Sequence, residues 1–219
     1  MVNTEVWQKL HEEFSAKGVA LVAVSKTKPA DDIREMYALG QRDFGENYVQ
    51  ELVDKEAALP KDIRWHYIGH LKSNKVKYIA PFVHLIHAVD SAKLLSEINK
   101  QAEKNGRIID VLLQMHIADE ETKFGMDEHE IHSVLDEAKS MQHIRICGLM
   151  GMATNTGDED KIRAEYKRLI QLFHKLAPEQ GAHFSTCSIG MSGDYEIAIE
   201  EGSDMVRIGS LLFGERNYG

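Results

Sequence analysis

The chain has 219 residues, 43% of them apolar and 28% charged, which describes an ordinary folded protein with a sizeable core. Its formal net charge of -9 argues against nucleic acid or an anionic membrane as a partner for the fold as a whole. Nothing in it approaches a membrane-spanning length, and Met1 to Gly18 is polar and amphipathic, so no signal peptide is expected.

A leading helix is predicted around Val6 to Ala16. Then comes Val19–Val24, apolar and β-branched, as a strand buried on both faces must be. Ser25-Lys26-Thr27-Lys28-Pro29 follows; Pro29 suits a first helical turn, and Asp31 and Asp32 favour that helix's positive end. Further strands are predicted at Asp43–Gly45, Trp65–Gly69, Val83–Val89, Ile108–Ile117, Ile144–Met150, Phe184–Ser188 and Met205–Ile208. Between them lie amphipathic stretches at Asp31–Leu39, Tyr48–Leu59, Ser73–Ala80, Ser91–Lys104, Asp127–Lys139, Asp158–Leu176 and Asp194–Glu201. Ser91 and Asp127 read as amino-terminal caps, and Gly40, Gly106 and Gly202 as stops.

Eight strands, each followed by a helix except the last, imply a parallel sheet, and that number suggests closure into a TIM-type (β/α)8 barrel with an extra N-terminal helix. A doubly wound open sheet is the rival. No linker or low-complexity stretch divides the chain, so one domain spanning residues 1–219 is expected. Cys147 and Cys187 sit in strand-like contexts and form no CxxC pair, which suggests buried, reduced thiols and a cytoplasmic protein.

In a barrel, function collects at the carboxyl ends of the strands. Lys26 stands there, where crowding by Lys28 and partial desolvation would depress its pKa as imine formation requires. Ser188 to Gly193 forms a glycine-rich turn after the seventh strand, and Arg207-Ile208-Gly209-Ser210 a second after the eighth, the places where barrels frequently hold a phosphate. An amine facing a phosphate cup fits pyridoxal phosphate, with Arg207 donating to an unprotonated ring nitrogen; the bland alternative for Arg207 is a salt bridge across the barrel mouth. His66 with His70, and His84 with His87, have spacings found in metal sites, but they lie on strands or loops rather than one helix face and no cysteine or carboxylate completes them, so they read as structural and no metal is expected.

Several motifs together carry a resemblance. Ala23-Val24-Ser25-Lys26-Thr27-Lys28-Pro29, Phe44-Gly45-Glu46-Asn47-Tyr48-Val49-Gln50-Glu51, Trp65-His66-Tyr67-Ile68-Gly69-His70-Leu71-Lys72-Ser73-Asn74-Lys75, Gly148-Leu149-Met150, Ser188 to Asp194 and Met205 to Ser210 resemble the YggS/PROSC family of pyridoxal phosphate homeostasis proteins, from about Val19 onward. The resemblance implies a barrel like the N-terminal domain of alanine racemase, with the cofactor bound as an aldimine on Lys26. It also implies Arg207 at the ring nitrogen, Ser192, Gly209 and Ser210 at the phosphate, and Asn47 near the phenolic oxygen. Lys123 matches a second lysine of the family, thought to accept or pass on cofactor; Thr122 before it departs mildly from the usual small polar residue, and the N-terminal helix is short for the family. The implied role is intracellular storage, buffering and delivery of pyridoxal phosphate, by a monomer, to cofactor-requiring apo-enzymes. The alternative is a small racemase-like enzyme, but the related racemases take a second base from an added domain for which this chain shows no room.

Overall fold

The structure, a computed structural model, describes residues 2–120 and 124–214. Eight parallel strands close into a barrel in strict sequence order, β1 (Ala20–Val24), β2 (Asp43–Glu46), β3 (Arg64–Tyr67), β4 (Leu85–Val89), β5 (Ile109–Gln114), β6 (Ile144–Met150), β7 (Thr186–Met191) and β8 (Met205–Ile208). Closure comes from β1 against β8, with Val22 opposite Arg207. The open-sheet rival is thereby excluded.

Helices α1 (Thr4–Lys17), α2 (Ala30–Ala38), α3 (Val49–Ala58), α4 (Val76–Ile79), α5 (Ala92–Lys104), α6 (Glu128–Ala138), α7 (Glu159–Gln180) and α8 (Tyr195–Glu201) surround it, and a one-turn helix α9 (Ser210–Phe213) follows β8. The sequence carries no signal for α9. Helix α1 packs Trp7, Leu10 and Phe14 inward, and the Trp7 indole donates to Gln41 Oε1 at 3.0 Å. Its end is set by Gly18, left-handed at φ +68°. The predicted caps act as such: Ser91 accepts from the Leu94 amide, and Asp127 forms a reciprocal capping box with Glu130.

Some boundaries differ from expectation. Ile108, placed in β5, is 60% exposed and lies outside the strand. Helix α7 runs past Leu176 and takes Pro178 into its last turn. Strand β5 ends at Gln114 rather than Ile117, and β7, predicted to end at Ser188, extends to Met191. Gly190 looked like part of a turn. It is a strand residue at φ +98°, where an added Cβ would come within 2.7 Å of the Ala198 side chain. The register against β8 shifts between Ser188 and Met191, and the turn itself begins at Ser192. Cys187 is buried as expected, but Cys147 is only half-buried.

Because side chains alternate across a strand, β2 turns Phe44 and Glu46 toward the helices and Gly45 and Asn47 toward the barrel axis. The main apolar core fills the layer between strands and helices, and a smaller cluster comprises Leu85, Ala88, Leu112 and Met150. Among the described residues no helix is long and apolar enough to cross a membrane.

Candidate functional site: a cavity at the carboxyl ends of the strands

Lys26 follows β1 on a tight loop. The Ser25 amide continues the sheet by donating to Gly45 O at 3.0 Å, and the Lys28 amide closes the turn onto Ser25 O, also at 3.0 Å. Between them Thr27 has φ +64°, a left-handed conformation that costs a β-branched residue about 1–2 kcal/mol. The loop is held in this shape from below. Lys55 of α3, 6% exposed, donates to Ser25 O at 2.8 Å, Glu46 Oε1 at 2.7 Å and Glu51 Oε1 at 2.6 Å. Glu51 Oε1 also accepts the Thr27 amide at 2.6 Å, and the Ser25 hydroxyl donates to Glu46 at 2.6 Å. Burial pushes the Glu46 carboxyl up to about 7, against the opposing pull of Lys55 and Ser25. This clamp fixes the backbone on both sides of Lys26.

The Lys26 side chain lines a cavity of about 260 Å³ together with Asn47, Met191, Ser192, Arg207, Gly209 and Ser210. That volume is near the lower end of small-ligand pockets. All the predicted site residues within the described chain therefore come to one place; Lys123 lies outside the described residues. Lys28 also lines the cavity, but its amine is engaged by Phe213 O at 2.7 Å and Gly214 O at 3.2 Å, so it ties down the end of α9. On the far wall the Met191 amide donates to Asp194 Oδ1 at 2.6 Å, folding the turn, and the Gly209 amide donates to Ser192 Oγ at 3.2 Å. A Cβ on Gly209 would stand 3.3 Å from that of Val24, a tight contact, so the backbone lies close against the wall there. Asn47 is held by Gly69, where an added Cβ would lie 2.4 Å from Asn47 O, and by the Tyr67 hydroxyl donating to the same oxygen at 2.9 Å. The buried Asn47 Oδ1 has no hydrogen-bond partner among the described residues.

Arg207, 3% exposed, forms no ion pair among the described residues, so the expected alternative of a salt bridge across the mouth does not hold. Its guanidinium donates to Ser188 O at 2.7 Å, Ser188 Oγ at 2.6 Å and Gly151 O at 3.0 Å. Beneath it the barrel axis is polar. Ser188 Oγ lies 3.0 Å from His87 Nδ1, His87 Nε2 lies 2.9 Å from His66 Nδ1, and His66 Nε2 lies 2.9 Å from Asp43 Oδ1. Burial raises the Asp43 carboxyl, but hydrogen bonds from Arg64 and His66 outweigh it and hold the group well below the carboxylate range. Burial pulls His87 well below its ordinary value.

The sequence carries no signal for this file, and, contrary to expectation, a carboxylate does stand with the histidines. Asp43, His66 and His84 place ligand-type atoms within 4.8 Å of one another. The Asp43 oxygens are taken by Arg64 and His66, and the His84 ring stands 5.4 Å from that of His66. His70 is separate, bonded to Asp90 at 3.1 Å.

Residues 4–217 match the family of the alanine racemase N-terminal domain. The chain is 40% identical over 199 residues to the pyridoxal phosphate homeostasis protein of Aquifex aeolicus, covering 90% of this chain and 87% of that one. It is 36% identical over 214 residues to the protein of the same name from Escherichia coli, covering 93% and 88%. Among solved structures, PipY of Synechococcus elongatus without PLP superposes with a TM-score of 0.90 at 34% identity, covering 96% of this chain and 99% of that one. The same protein with PLP bound superposes at 0.86, with 33% identity, covering 95% and 100%. Alanine racemase of Streptomyces coelicolor, 19% identical and covered over 56% of its length, shares the fold at a TM-score of 0.74. The barrel, its cavity and these similarities together mean that the chain belongs to the alanine racemase N-terminal domain family, within its branch of pyridoxal phosphate homeostasis proteins.

Proposed function

We propose that the protein binds pyridoxal 5'-phosphate, covalently through the Lys26 amine, and stores, buffers and delivers it without turning over a substrate. The observation that carries this reading is the pairing of a strand-end amine with a buried guanidinium that makes no direct ion pair among the described residues, on the walls of one cavity. A buried cation is ordinarily paired, so the site calls for a ligand rich in acceptors. The residues fit that cofactor: Asn47 Oδ1 is an orphaned polar atom on the wall, and Gly209 leaves room for close backbone approach.

When bound, pyridoxal phosphate supplies an aldehyde that condenses with amines and a conjugated ring that withdraws electrons. Ser192, Gly209 and Ser210 would hold the phosphate, and Asn47 would sit near the phenolic oxygen. Arg207 would donate an N–H to the ring nitrogen and, being unable to release its proton, keep that nitrogen unprotonated. That withholds the positive ring on which carbanion chemistry depends, so Arg207 favours carriage over catalysis. The relatives' name as homeostasis proteins supports the same direction. On this reading residues 1–219 act as one cofactor-binding unit, a cytoplasmic monomer whose partners are apo-enzymes needing the cofactor.

Hydride reduction of the loaded protein followed by peptide mapping should place a pyridoxyl group on Lys26; a label mainly on Lys28 or Lys123 overturns that assignment. Loaded protein in deuterated water with L-amino acids should show no α-deuteration or D-isomer formation, yet should activate a cofactor-requiring apo-enzyme. Exchange or racemisation at about 1 per second or faster would make it an enzyme.

A further inference from the structure

The polar file below the cavity has a direction, and it follows from counting donors. Arginine only donates, so Ser188 Oγ accepts from Arg207. The serine hydroxyl then has one proton to place, and His87 Nδ1, at 3.0 Å, is there to accept it. His87 therefore carries its proton on Nε2 and donates to His66 Nδ1. His66 in turn carries its proton on Nε2 and donates to Asp43, whose carboxylate Arg64 holds with two further hydrogen bonds. The opposite polarity would require His66 either to aim a lone pair at a carboxylate or to hold a second proton.

We infer that Ser188, His87 and His66 are positioning residues for Arg207: a single hydrogen-bonded file, anchored on Asp43, that fixes how the guanidinium meets a ligand in the cavity. It rests on the cofactor reading given above. Of the five guanidinium donors, three are engaged by Ser188 O, Ser188 Oγ and Gly151 O, which leaves two. With the serine proton given to His87, the hydroxyl is fixed in a rotamer that turns a lone pair toward Arg207. Removing His87 frees the hydroxyl to rotate and loosens the one side-chain acceptor that orients the guanidinium.

The experiment has two arms. In the cofactor-free protein, long-range proton–nitrogen NMR reads the tautomer of each histidine directly. Protons on Nε2 of both His87 and His66 support the file; a proton on Nδ1 of His87 overturns it. In the second arm the protein is titrated with pyridoxal phosphate and its visible spectrum recorded. His87→Phe should shift the band of the bound cofactor and weaken uptake about tenfold, as for a lost hydrogen bond to a charged group. His87→Asn, which returns an acceptor near the former Nδ1, should recover part of both, and His132→Phe, on the exposed face of α6, should change neither. A folded His87→Phe with wild-type band and affinity overturns the inference. If that variant does not fold, the tautomers decide. If the unaltered protein takes up no cofactor, the proposed function falls, while the NMR arm still judges the file by itself.

Discussion

Replacing Lys55 with methionine removes the cation at the centre of the clamp and keeps most of the chain's apolar volume. Its side chain is 8% exposed, and three acceptors converge on it at 2.6–2.8 Å. The variant leaves Glu46 and Glu51 facing each other and Ser25 O without its donor. Breaking a buried ion pair from one side costs about 3–5 kcal/mol, which for a chain of this size lowers Tm by about 6–20 °C. The loss should depend on pH. Burial raises Glu46 from its ordinary 4.5 to about 7, so between those values the folded state holds a proton that the unfolded chain releases. Glu46 therefore makes the native protein less stable as pH rises through that window. Below about 5 the carboxyl is neutral in both proteins, and the variant loses hydrogen bonds to Ser25, Glu46 and Glu51 but no ion pair with Glu46. Above 7 the wild-type carboxyl is ionised and paired, whereas the variant, without the lowering pull of Lys55, must bury that charge alone or keep a proton on it, so the missing cation costs more. Thermal unfolding followed by circular dichroism at pH 5 and pH 8 measures both. A drop under 2 °C at pH 8, or an equal drop at the two values, refutes the reasoning.

Other substitutions test other parts. Gly148→Ala, at φ +150°, drives a Cβ to 1.8 Å from Thr186 O and should cost about 3 kcal/mol or more, seen as loss of soluble protein or of unfolding midpoint, whereas Gly157→Ala meets nothing and should be silent. Ser192→Ala and Ser210→Ala should each weaken phosphate-dependent binding by about 1–3 kcal/mol in calorimetry, and unchanged affinity in the double variant would move the phosphate elsewhere. Lys26→Ala should abolish the visible band of bound cofactor yet retain weak binding of the phosphate compound.

The barrel could be read in the sequence because a parallel strand covered on both faces leaves an apolar run, and here such runs alternate with amphipathic stretches. The end of β7 was misread because Gly190 signals a turn locally, and only its packing against Ala198 reveals a strand. The cavity residues were visible because each lies at or just past the carboxyl end of a strand. The file was not, since His66, His87 and Ser188 come from β3, β4 and β7, and nothing in their spacing says that they share the barrel axis. For the clamp a partial signal existed: Glu51 and Lys55 stand four apart on a predicted helix. Glu46, two residues before that helix, gave no hint that it turns toward it.

Thr27 sets stability against readiness. Its strained backbone is held by a carboxylate on a different element, so the chain stores a small local debt beside the residue whose amine matters most. Glycine at this position would relieve roughly 1–2 kcal/mol of left-handed strain, offset in part by a more flexible unfolded chain. The same change would let Lys26 wander among loop shapes, so that each encounter with an aldehyde finds its amine in place less often. A sturdier Thr27→Gly protein that loads more slowly is what this geometry implies.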